Sequence, residues 1–171
     1  MVCGRARRRD SRGAAAVEFA LVAPLLFLLL FGIISYGYML SYRQALSQGA
    51  AEAARSAAVL TSGTTATAQN AAAVAALNQS LNAYGVSCSI SGAATSGNLV
   101  RNGTTVGSCA VGVYDCSSVS TSTPSNTSAT PDCIRVVVNH YYASNPLIPS
   151  FPGLGAVMPA NLSYTAVAQV S

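Results

Sequence analysis

The chain contains no lysine, and only 8% of its 171 residues are charged. We draw no function from the missing lysine, but the scarcity of charge is informative. All nine basic residues are arginines, and Arg5, Arg7, Arg8, Arg9 and Arg12 lie before Gly13 with a single acid, Asp10. Four arginines and four acids remain beyond Gly13, so that part is neutral apart from its termini. The formal net charge of +4 therefore belongs to a short head. Such a head reads as a topogenic signal for a membrane rather than a phosphate-binding patch, and no nucleic acid partner is expected.

Chemistry is equally sparse. There is no phosphate loop, no serine elbow and no paired-carboxylate cluster. His140 is the only histidine. A nucleophilic pair with Cys133 is conceivable. Seven residues apart on an extended strand, however, the two would face opposite ways, about 23 Å apart. We read no active site and expect no cofactor. Cys88, Cys109, Cys116 and Cys133 fall at spacings of 21, 7 and 17 and lack the close C-x-x-C pair of a zinc knuckle. In an oxidising compartment they are disulfide candidates, and their three possible pairings stay open. Cys3 lies with the basic head.

What is present is a long apolar run. Phe19 to Leu40 carries no charge, and 13 of its 22 residues are Leu, Ile, Val or Phe. Together they favour insertion by about −5 kcal/mol, more than enough to carry Glu18 at the edge. At 1.5 Å per residue the run is about 33 Å long, enough for a ~30 Å hydrocarbon layer. The arginines hold the N-terminus in the cytoplasm. Tyr36, Tyr38 and Tyr42, followed by Arg43, suit an aromatic belt at the opposite interface. The run exceeds the 7–15 residues of a secretory signal, and helix-forming sequence continues past it, so a retained anchor is expected. The Arg7-Arg8-Arg9 run also lacks the residues that follow a twin-arginine signal. Pro24 removes the bond to the carbonyl of Ala20 and predicts a kink in the membrane helix. Gly32 and Gly37 add soft positions.

Gly13, four small or apolar residues (Ala14 to Val17), then Glu18-Phe19 resemble the prepilin-peptidase site of type IV-like pilins. More narrowly, the run from Arg12 to Ala58 resembles the TadE-like family, minor pseudopilins of the tight-adherence (Tad, or Flp) pilus system. The likeness is close over roughly residues 12–60. It implies cleavage between Gly13 and Ala14, a new and commonly methylated N-terminus at Ala14, and a role in assembly for Glu18, with Phe19 beside it. The physical chemistry is compatible. Five arginines pin the helix in the bilayer, and their removal permits later extraction. Glu18, one turn beyond Ala14, can pair with its freed amine or with a neighbour's. The plainer alternative is that Glu18 only favours the positive end of the helix dipole.

Tyr42 to Val59 continues the helix, with Leu46, Ala50, Ala53 and Ala57 on one narrow face. The stem from Ala14 to Val59 would be about 69 Å long. Its small-residue face should dock on the chain's own domain or on sister stems. Glu52 and Arg55 can pair. After a Thr/Gly break at 61–67, residues 68–84 predict a second helix that Gly85 ends. Strands are predicted at Val86–Ser91, Val106–Tyr114, Ile134–Tyr142 and Leu162–Val170. Ser117–Pro131 reads as a loop. Asn145–Pro159, with four prolines, reads as a crossover packed on the sheet or as a partner contact.

The expected architecture is α+β: a long N-terminal transmembrane and stem helix carrying a small periplasmic domain with a second helix and an antiparallel sheet of about four strands. Its parts would be a cytoplasmic leader (1–13), the stem (14–60) and the periplasmic domain (61–171). The leading function is a non-enzymatic pseudopilin or minor pilin of the bacterial inner membrane, processed by prepilin peptidase. Its partners would be other pilins and the pilus assembly platform, and its service adhesion and surface colonisation. The alternative is an uncleaved anchor presenting a periplasmic binding or adhesion module.

Overall fold

A computed structural model describes residues 7–60, 64–91, 94–116, 132–148 and 158–170. Helix α1, Arg7–Ala58, is one continuous 52-residue helix that runs through Pro24. At 1.5 Å per residue it is about 78 Å long. Its second half carries the predicted face: Leu46, Ala50, Ala53 and Ala57 are all buried. Met39 and Tyr42 extend that face by another turn.

Helix α2, Ala66–Leu81, starts at the N-cap Thr65, whose hydroxyl accepts from the Ala68 N–H. It buries Ala73, Leu77 and Leu81 and passes into a 3-10 turn, Asn82–Tyr84. Gly85 ends that turn in the left-handed conformation, as its position in the sequence implies. α2 packs antiparallel on α1: Ser56 donates to the carbonyl of Ala72 near one end, and Tyr84 meets Tyr38 and Tyr42 at the other. Between them Gly49 allows a close approach. A Cβ there would stand 3.0 Å from the Cβ of Ser80, so a larger residue would push the helices apart.

The sheet has five strands, not about four. They are β1 (Val86–Ser89), β2 (Ser96–Arg101), β3 (Thr104–Asp115), β4 (Asp132–His140) and β5 (Leu162–Gln169). They form an antiparallel meander in sequence order. β2 escapes a reading by alternation because Leu99 and Val100 are its only large apolar residues. A two-residue turn, Asn102-Gly103, joins it to β3, both residues having positive φ. Asn-Gly is a favoured pair for such a turn. β4 stops at His140, short of Tyr142, and the predicted β1 and β5 each shorten at their ends.

Both helices lie on one face of the sheet, α1 over β4 and β5 and α2 over β1 and β3. Ile134, Val136, Val138 and His140 point into that layer. Their partners across the strands, Val113, Val111, Cys109 and Gly107 on β3, share the face. Asn78 of α2 satisfies the outer edge of β1: its amide nitrogen donates to the carbonyl of Cys88 at 3.1 Å, and its oxygen accepts from the Cys88 N–H at 2.6 Å. Leu147 is buried and Met158 packs against the core, so both ends of the proline-rich crossover reach the core. Its centre (149–157) and the loop 117–131 lie outside the described residues.

Candidate functional site

The N-terminal half of α1 stands clear of the domain. None of its most apolar 18-residue window is buried, and the helix is long and apolar enough to cross a membrane. Phe19, Leu21 and Leu25 are 71%, 75% and 69% exposed. Such a surface is costly in water, since each CH₂ left exposed forgoes about 0.8 kcal/mol. Met39, only 2% exposed, is the first side chain along the helix to be buried against the domain. The free apolar stretch is therefore Phe19–Tyr38, two residues shorter than Phe19–Leu40. Its 20 residues give about 30 Å, the thickness of a hydrocarbon layer.

The residues singled out for processing and assembly lie at the start of that stretch. Gly13, Ala14, Glu18 and Phe19 are all exposed, and among the described residues nothing beyond the helix's own backbone lies within 4 Å of a Cβ built on Gly13. Ala14 and Glu18 are one turn apart on one face of the helix. Further along, Ala20, Ala23, Pro24, Phe27 and Phe31 line a shallow apolar groove, with the two phenylalanine rings 6.4 Å apart. Pro24 thus sits in a surface hollow within an unbroken helix.

The belt of tyrosines divides. Tyr36 stays on the free surface, Tyr38 is part-exposed with its ring edge-on to Tyr84, and Tyr42 is completely buried. Its ring is 5.0 Å from Tyr84 and 5.2 Å from His140, both edge-on, and 6.5 Å from Tyr142. The Tyr42 hydroxyl is 2.7 Å from His140 Nδ1, and His140 Nε2 is 2.9 Å from the carbonyl of Asn145. A carbonyl can only accept, so Nε2 carries the proton. Nδ1 is then bare and Tyr42 donates to it. Burial holds His140 below the usual histidine pKa, and the nearby Arg101 charge adds to this; the bond to Asn145 opposes them. Burial likewise pushes the Tyr42 hydroxyl far above its ordinary range.

The stem and sheet are therefore bolted together by a neutral polar chain whose Tyr42–His140 link is buried. Two outer links flank it. Ser41 and Tyr84 hydroxyls are 2.7 Å apart, and Arg43 Nε donates to the Tyr164 hydroxyl at 2.8 Å. Arg43 is thus committed to β5 rather than to the helix alone. The sequence sets His140 apart from any active site but does not display its partners. Periodicity could have found Tyr42, which extends the Leu46 face by one turn; nothing marks Asn145.

The four cysteines that follow the stem pair as Cys88–Cys109 and Cys116–Cys133. The first joins β1 to β3, and the second joins the far end of β3 to the start of β4. Cys133 is thereby removed as a nucleophile partner for His140, which points to the helix side while Cys133 lies on the opposite face. Among the described residues no group of three or more His, Cys, Asp or Glu side chains could hold a metal.

No curated protein and no solved structure matches the chain. The family model of TadE-like proteins matches residues 13–55. That stretch begins at Gly13, ahead of the apolar part of α1, and ends in the last turns of the buried seam, and over it the chain is similar to the TadE-like proteins.

Proposed function

We propose that this chain is a non-enzymatic, pseudopilin-like subunit associated with a Tad-type (Flp) pilus. It is anchored in the bacterial inner membrane with its domain in the periplasm. Prepilin peptidase cleaves it between Gly13 and Ala14. It then acts in pilus assembly with other pilins and the assembly platform, in the service of adhesion and surface colonisation.

One observation carries this reading. The chain exposes a hydrocarbon-length apolar stretch of α1 that follows directly on Gly13 and Glu18 and runs without a break into the buried seam of the domain. The TadE-like match over residues 13–55 supports it. Removing the arginine head lowers the barrier to withdrawing the helix from lipid. It also leaves an amine one turn from Glu18, and in a low-dielectric bundle such a pair is stronger than on an open surface.

The test is N-terminal sequencing of the protein from membranes, with and without the peptidase. A start at Ala14 that depends on the peptidase supports the reading. A head retained in both strains overturns it in favour of an uncleaved anchor. Glu18→Ala should leave cleavage intact and impair piliation; normal piliation would remove Glu18 from assembly.

A further inference from the structure

We infer that the stem-side end of the domain is a lipid-binding surface, seated in the headgroup layer of the same membrane that holds α1. The inference rests on the reading that Phe19–Tyr38 lies in lipid, and adds a second contact made by the folded domain.

Three observations converge on it. The first is spacing. Met39 is buried immediately after the hydrocarbon-length stretch, so no linker separates span from domain. Headgroups occupy about 5–8 Å on each side of the hydrocarbon. Tyr38 to Tyr42 rises about 6 Å along the helix. Whatever packs on those two residues therefore lies at headgroup depth.

The second is what packs there. Antiparallel α2 brings its end down to this level, and Tyr84 of the 3-10 turn sits edge-on to Tyr38 at 5.6 Å. Asn82 and Ala83 of the same turn are exposed. The same end of the sheet contributes the Asn102-Gly103 turn, because Arg101 pairs with Val86 next to Gly85. It also contributes Tyr141, which is 41% exposed, directly after His140. Tyrosines with an apolar body and a wet tip concentrate at membrane interfaces.

The third is charge. Arg43 and Arg101 are at this end, and the Arg101 guanidinium is held by the carbonyls of Pro146 and Leu147. The five acids of the chain, Asp10, Glu18, Glu52, Asp115 and Asp132, all lie elsewhere. Asp115 and Asp132 are paired at the opposite end of β3 and β4, about 26 Å away along the strand. An end of the domain with two cations and no acid complements anionic phospholipid headgroups.

The chain has no tryptophan, so single tryptophans report depth directly. Tyr84→Trp and Ala83→Trp are placed in the full chain, reconstituted in vesicles of phosphatidylglycerol and phosphatidylethanolamine carrying nitroxide quenchers. Ala83 is exposed, so the second variant folds even if the first does not. Val59→Trp, at an 80% exposed position about 31 Å beyond Tyr38, is the control for the far end. Phe27→Trp reports on the span. Headgroup quenchers should reduce the emission of residues 83 and 84 and leave residue 59 unchanged. If residues 83 and 84 behave like residue 59 while chain-end quenchers reach residue 27, the span stands and the inference falls. If residue 27 is not quenched, the span itself fails and the inference fails with it.

Discussion

Replacing Tyr42 with phenylalanine isolates the polar bolt between stem and sheet. The ring stays, so its contacts with Tyr84, His140 and Tyr142 survive. Only the hydroxyl that donates to His140 Nδ1 at 2.7 Å is lost. The acceptor is completely buried, and water cannot replace the donor without opening the seam. Leaving a buried acceptor unpaired costs about 1–3 kcal/mol. For a domain of this size each kcal/mol lowers Tm by about 4 °C, so the expected fall is about 4–12 °C. Thermal unfolding of the detergent-solubilised full chain, followed by near-ultraviolet circular dichroism, measures it. Tyr36→Phe is the comparison, because Tyr36 is 47% exposed and exposed substitutions typically change stability by less than about 0.5 kcal/mol. If Tyr42→Phe falls no further than Tyr36→Phe, the neutral Tyr42–His140–Asn145 chain does not hold the two halves together.

Acid should weaken the same joint. The native state keeps His140 neutral, its pKa lowered mainly by burial, whereas the unfolded chain takes up a proton near pH 6.5. Stability is therefore complete above that pH and falls below it, by up to about 1.4 kcal/mol per pH unit until the folded-state pKa is reached. His140 is the only histidine, so denaturant midpoints between about pH 5.5 and 7.5 should lose this slope in His140→Gln. Replacing Cys88 and Cys109 together by alanine opens a cross-link spanning 21 residues; this should cost about 3 kcal/mol in urea unfolding. Equal stability with and without that bond would show that the helix–sheet core suffices alone.

Much of the architecture is legible because single positions carry several constraints at once. Leu46, Ala50, Ala53 and Ala57 repeat at helical spacing and are all buried. Gly85 stands where a helix must stop. Ile134 to His140 alternate as a strand with one covered face. β2 escapes because much of its hold on the sheet comes from pairing with both neighbours, which its own residues do not display. The Asn102-Gly103 turn was the available signal, and it outranks alternation when a strand is this polar. Tyr42 reads as an interfacial residue for a different reason. A tyrosine leaving the bilayer has the same local context whether it meets headgroups or a sheet, and only the tertiary fold distinguishes them. Gly13 and Glu18 carry no packing role in the isolated chain, so their chemistry is read from pattern and resemblance. The cysteine pairing depends on which strands neighbour one another, a long-range property that spacing does not encode.

The absence of any linker between the apolar stretch and Met39 has a mechanical consequence. A force drawing α1 along its axis is resisted by the whole Leu46–Ala57 seam and by the Tyr42–His140 bond together, loaded in shear. Shear engages every contact at once, whereas a hinge would peel them one by one. Turning the rod by one residue also swings the attached domain through about 100°. The chain thus transmits both thrust and torque, and its globular end travels and turns with the shaft.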